Sequence, residues 1–194
     1  MKRILVFLVV LISSTLVFIP HSSAANFTVN DAASLIAAIN TANSNAQDDV
    51  ISLAADIALT VASDFTEGVS GLPSILADGG NDLTIEGNGF TLSRSGAAAF
   101  RIMHISLGAT VFINDLTIEN GLANAGGIGA MGGAIFTRGQ LSIANSIFRG
   151  NSASGANSFG GAIATAEATS TLTVRNSSFT ANTANSYGGA VYNT

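Results

Sequence analysis

No cysteine occurs in the 194 residues, so disulfides cannot staple the fold and a continuous core must hold it. Charge is also scarce: Asp, Glu, Lys and Arg make up 10% of the chain, against about a quarter in an ordinary soluble domain. Positive charge is the scarcest of all. Beyond Lys2 and Arg3, five arginines face twelve carboxylates, a net charge of about −7. A nucleic-acid binder needs a basic face, and that class is excluded. His21 and His104 are the only histidines, too few for a histidine cluster around a metal. After residue 20 no run is long and apolar enough to span a bilayer.

Small uncharged residues take the place of charge, and the N-terminus explains where the first cations went. Lys2 and Arg3 precede an apolar run from Ile4 to Ile19, then Pro20 and "HSSAA". This is the pattern of a secretory signal peptide, predicted over residues 1–24 with cleavage after Ala24. Ser13, Ser14 and Thr15 within the run argue against a retained membrane anchor. The mature chain is therefore expected outside the cytoplasm, with no transmembrane span of its own.

The mature sequence repeats. "LTIEGNGFTLS", "VFINDLTIENG", "LSIANSIFRGN" and "LTVRNSSFTAN" start at Leu83, Val111, Leu141 and Leu172, 28 to 31 residues apart. Apolar residues recur two positions on (Ile85, Ile113, Ile143, Val174) and seven on (Phe90, Ile118, Phe148, Phe179). The first spacing puts two side chains on one face of a strand. The second requires a corner between, predicted at Gly87, Asp115, Asn145 and Asn176, residue types that tolerate a left-handed backbone. A second corner is predicted at Gly121, Asn151 and Asn182. "GGAIF", "GGAIA" and "GGAVY", from Gly132, Gly160 and Gly188, complete each repeat. Three short strands per repeat with no helix between predict an all-β fold, a right-handed parallel β-helix over residues 50–194. An antiparallel sandwich gives no reason for the fixed register.

Residues 25–49 read as an N-terminal cap of strand and helix. Asp31 is placed to cap a helix whose Ala32, Leu35, Ile36 and Ile39 form an apolar stripe, covering the open edge of the first coil.

The Gly-Gly-Ala blocks, paired with "FRGN" and "FTAN", resemble the repeats of polymorphic outer membrane proteins, whose passenger regions are right-handed β-helices of the pectate-lyase-like class. "FTVNDAASLIAAINTAN" followed by "DDVISLAADIALTV" is similar to the N-terminal region of bacterial proteins with the CSLREA domain, although the arginine of that motif is missing from "NDAASLIAAIN". The resemblance implies a protein of the cell surface, outer membrane or extracellular space that acts in adhesion, display or scaffolding, with a host or cell-surface protein or glycan as partner.

Chemistry is thinly supplied. "GIGAMG" (127–132) matches a nucleotide-binding glycine pattern but opens into a strand, with no acidic residue about twenty positions on, so no cofactor is expected. The alternative reading is a polysaccharide lyase or glycoside hydrolase, which needs converging carboxylates. In the predicted register no two acids stack on adjacent coils: one column reads Glu86, Asn114, Ala144, Arg175, another Thr91, Glu119, Arg149, Thr180. Asp82, Glu86, Asp115 and Glu119 are the only candidate catalytic pair members, Glu119 and Arg149 are expected to pair as ions, and neither catalytic nor metal-ligating residues are assigned. His104, in "FRIMHISL", is read as a solvent-facing or turn residue. Asn26 ("NFT") and Asn176 ("NSS") match the glycosylation sequon. The variable segments Leu122 to Met131, Ser152 to Phe159 and Thr183 to Tyr187 are expected to be loops, with Phe159 and Tyr187 as exposed contact residues. The last repeat stops after "GGAVYNT"; its unfinished coil predicts a longer parent protein and self-association through an open edge.

Overall fold

The computed structural model describes residues 24–194; the expected leader lies outside them except for Ala24. β1 (Ala25–Val29) and α1 (Ala32–Ala42) come first. Asp31 Oδ1 accepts from Ser34 N at 2.7 Å and Ser34 Oγ accepts from Asp31 N, a reciprocal capping box. Leu35, Ala38, Ile39 and Ala42 are buried, while the predicted stripe members Ala32 and Ile36 pack at its margin.

Five coils follow. β2 (Asp49–Leu53), β3 (Ile57–Leu59) and the irregular residues 60–77 make the first. β4 (Asp82–Glu86), β5 (Thr91–Arg94) and β6 (Met103–Ile105) make the second. β7 (Thr110–Asn114), β8 (Thr117–Glu119), β9 (Leu122–Ala123) and β10 (Ile135–Thr137) make the third. β11 (Gln140–Ala144), β12 (Ile147–Arg149), β13 (Ser152–Ala153) and β14 (Ile163–Thr165) make the fourth. β15 (Thr171–Arg175), β16 (Ser178–Thr180), β17 (Thr183–Ala184) and β18 (Val191–Tyr192) make the fifth. Each strand pairs in parallel with its equivalent on the next coil, so four sheets run along the molecule: β1-β2-β4-β7-β11-β15, β3-β5-β8-β12-β16, β6-β10-β14-β18 and β9-β13-β17. The chain is a parallel β-solenoid.

The columns form as the spacing predicts. Leu83, Val111, Leu141 and Leu172 align, as do Ile85, Ile113, Ile143 and Val174. Successive strands of one coil face inward through alternate residues, and the core they enclose is apolar.

Four expectations are corrected. The third column is Leu92, Ile118, Phe148, Phe179 and not one that begins at Phe90. The turn "GNG" (87–89) carries its left-handed residues at Asn88 and Gly89, past the predicted Gly87, and lengthens the first corner by two residues. The second corner is left-handed one residue earlier than expected, at Asn120, Gly150 and Ala181. Asn151 and Asn182 are thereby free to bond between coils. Asn151 Oδ1 accepts from Gly121 N at 2.9 Å and its Nδ2 donates to Ile118 O at 3.0 Å, and Asn182 repeats both bonds to the coil before it. Finally, the segments expected to be loops begin with strands, β9, β13 and β17, so the third, fourth and fifth coils have four strands where three were expected.

Candidate functional site

The site lies on the outward face of the third sheet. Met103, Ile105, Ile135 and Ile163 point inward, and the residues between them point out. Parallel bridges from Ser70 to Arg101 and from Ile75 to Ile105 bring residues 70–76 alongside β6. Ser74, His104, Phe136, Ala164 and Tyr192 therefore form one outward column across the five coils. An outward histidine is normally wet, as its sequence context implied. His104 is instead 1% exposed and Phe136 fully buried, because residues 63–70 fold back over them.

That segment is a strap. Asp64 and Ser70 pair antiparallel at its base, and its tip reaches across the coils. Gly68 lies against Arg101 and Gly129, where an added Cβ would fall 2.6 Å from Arg101 Nη2 and 3.0 Å from Gly129 Cα. Glu67 pairs with Arg138 at 2.8 Å, and Arg138 also pairs with Glu167 on the fourth coil. Asn43, just after α1, fastens the other side: its Nδ2 donates to Ser74 O and its Oδ1 accepts from Leu76 N.

Beneath the strap the polar groups form a chain. Asp64 Oδ1 accepts from Thr66 N and Oγ1, and Oδ2 accepts from Ser74 N at 2.8 Å and from Ser74 Oγ. Burial works against the Asp64 carboxylate, but these bonds outweigh it and hold its pKa below the usual range. Ser74 Oγ also lies 2.7 Å from His104 Nδ1. His104 stacks on Phe136 with ring centroids 5.5 Å apart. Arg101, fully buried, sets its guanidinium 4.9 Å from the centre of the same ring and donates from Nη2 to Ile128 O. Burial, opposed by Glu67 and Asp64, brings the Arg101 pKa down to about 10; burial and the Arg101 charge bring His104 from 6.5 down to about 4, so it is neutral at physiological pH.

A serine beside a histidine suggests nucleophilic chemistry, and Ser74 borders a cleft of about 370 Å³ between α1 and the strap, lined also by Ile36, Asn40, Asn43 and Leu76. Activation would require the hydroxyl proton to pass to the histidine. Here Asp64 takes both the Ser74 hydroxyl proton and the Ser74 backbone N–H, so neither a nucleophile nor an oxyanion donor is left free. The arrangement is suited to holding the strap down.

The other candidates are dispersed. Asp82 and Glu86 lie on β4 in the first sheet, Asp115 at a left-handed corner and Glu119 on β8 in the second sheet. Glu86 accepts from Asn114 at 2.9 Å and Glu119 pairs with Arg149, both one coil away. Among the described residues no group of three acidic or histidine side chains is placed to hold a metal. Phe159 and Tyr187 are brought together: their rings stack 5.8 Å apart and nearly parallel, and Tyr192 meets Phe159 at 4.6 Å. Phe159 is half-buried and Tyr187 is 67% exposed. Sequence reasoning missed Asp64, Glu67, Ser74 and Arg101 as a group. Their segment belongs to no repeat, and only the crowding of acid and turn residues in "SDFTEG" (63–68) hinted at a special loop.

No family model, no curated protein and no solved structure matches the chain.

Proposed function

We propose that the chain is a section of an exported, surface-displayed β-solenoid that serves as an adhesive or structural module, with a cell-surface glycan as its contact. The observation that carries this reading is the aromatic cluster of Phe159 on the fourth coil with Tyr187 and Tyr192 on the fifth, with Tyr187 67% exposed. Stacked aromatic side chains with an exposed phenol at Tyr187 suit the alternation of C–H and O–H groups on a sugar ring. The leader pattern and the likeness of the Gly-Gly-Ala repeats to polymorphic outer membrane proteins support the surface location. Binding of the purified chain to a glycan array or to intact cells tests the proposal. Tyr187→Ala should weaken it at least tenfold with the fold unchanged by circular dichroism; unchanged binding would discard the cluster as the contact. Depolymerase activity on an acidic polysaccharide that disappeared in the Asp115→Ala/Glu119→Ala double variant would overturn the module reading in favour of an enzyme.

A further inference from the structure

Three polar atoms under the strap have no protein hydrogen-bond partner: Arg101 Nε, Arg101 Nη1 and His104 Nε2. Both residues are shut off from solvent and rest on one ring, that of Phe136. A buried donor or acceptor without a partner is costly, and native structures rarely tolerate it. Three around one aromatic ring call for a further group.

The direction of the hydrogen-bond chain identifies that group. Ser74 Oγ has one proton, and the Asp64 carboxylate, which has none to give, takes it. The contact between Ser74 Oγ and His104 Nδ1 must then use a proton on Nδ1. His104, neutral, keeps its lone pair on Nε2. The unpartnered set is thus two Arg101 donors and one His104 acceptor. An anion would accept from the guanidinium but would meet the Nε2 lone pair. It would also add to a local excess of negative charge, since Asp64, Glu67 and Glu167 already outnumber Arg101 and Arg138. A molecule that both accepts and donates has no such conflict.

We propose that a single water molecule is bound under the strap, accepting from Arg101 and donating to His104 Nε2. It completes a relay from the Asp64 carboxylate through Ser74 and His104 to the Arg101 guanidinium, and so joins the base of the strap to the side chain under its tip. An integral buried water makes two to four hydrogen bonds to polar groups otherwise left unpaired.

Crystals of the chain grown in sodium bromide and measured at a resolution that shows waters test this. The expected result is one density peak within hydrogen-bond distance of His104 Nε2 and an Arg101 nitrogen, without anomalous signal. A bromide signal there, or a direct Arg101 to His104 bond with nothing between, would overturn the proposal. Nitrogen-15 NMR of histidine-labelled protein at pH 7 should find the His104 proton on Nδ1 and a water cross-peak at the ring; a proton on Nε2 would contradict the relay. Ser74→Ala removes the acceptor of Nδ1–H and should shift the ring toward the Nε2–H form, and an unshifted tautomer would count against Ser74 as the link.

Discussion

Gly160 has φ +63°, and a Cβ there would lie 2.0 Å from Ile163 O; the following Gly161 has an ordinary φ, but its Cβ would lie 2.1 Å from Gly189 O on the next coil. The two glycines of the first two blocks thus answer separate demands, one a left-handed turn and the other a coil stacked against its neighbour. Gly160→Ala should cost more than the roughly 1–2 kcal/mol of a left-handed alanine, because the carbonyl contact adds to it. Asn145→Gly at φ 53° should be nearly neutral, which paired urea titrations would show. His104 gives a residue-scale prediction in pH. Unfolded it takes up a proton near 6.5 and folded near 4, so between these values the unfolded state binds more protons. Stability from this group is complete above pH 6.5 and lost as pH falls toward 4, on the order of 3 kcal/mol. The charged groups around it, Asp64, Glu67, Arg101 and Arg138, are all retained in the reference protein His104→Gln, so the difference between the two proteins isolates the ring. The wild-type minus His104→Gln stability curve should slope between pH 4 and 6.5; a flat difference would place the ring in water.

Strands and corners were legible where the residue type carries the geometry itself. The alternation of Leu83 with Ile85 and of Leu141 with Ile143 fixes a face, and Asp115, Asn145 and Asn176 announce their left-handed backbone. The reading failed where one residue type serves two purposes. Asparagine fits a corner and equally well a ladder of side-chain amides, and nothing local says that Asn151 and Asn182 do the second while Asn120 does the first. The ladder predicts that Asn151→Ala, leaving Gly121 N unpaired in a buried place, costs about 1–3 kcal/mol, measured as a lowered denaturation midpoint. Asn185, exposed, should tolerate the same change within about 0.5 kcal/mol. The strap was illegible for a different reason. Arg138 lies 71 residues beyond Glu67 and His104 lies 30 beyond Ser74, and the period carries no information about a segment that does not repeat. For the same reason His104 read as a solvent-facing or turn residue, although it is 1% exposed.

For the whole molecule, parallel stacking makes stability a sum over adjacent coils. The fifth coil is the exposed one: Val174 is 38% exposed where Ile113 and Ile143 of its column are buried, and Leu172 and Phe179 are half-buried. Residues 25–194 as a free polypeptide are expected to associate through β15 and β16 as concentration rises. Val174→Lys, which sets a charge at the open end of the core column, should reduce the association in sedimentation velocity; a wild-type polypeptide that stayed monomeric throughout would contradict it. The strap departs from the rule of adjacent coils. Through Glu67, Arg138 and Glu167 it ties the first coil to the third and fourth. Under a pulling force the fifth coil is free to peel away alone, whereas the first four should give way together as one mechanical block. Optical-tweezer traces should then show a small early step followed by a large one, and Glu67→Ala should divide the large step into smaller ones.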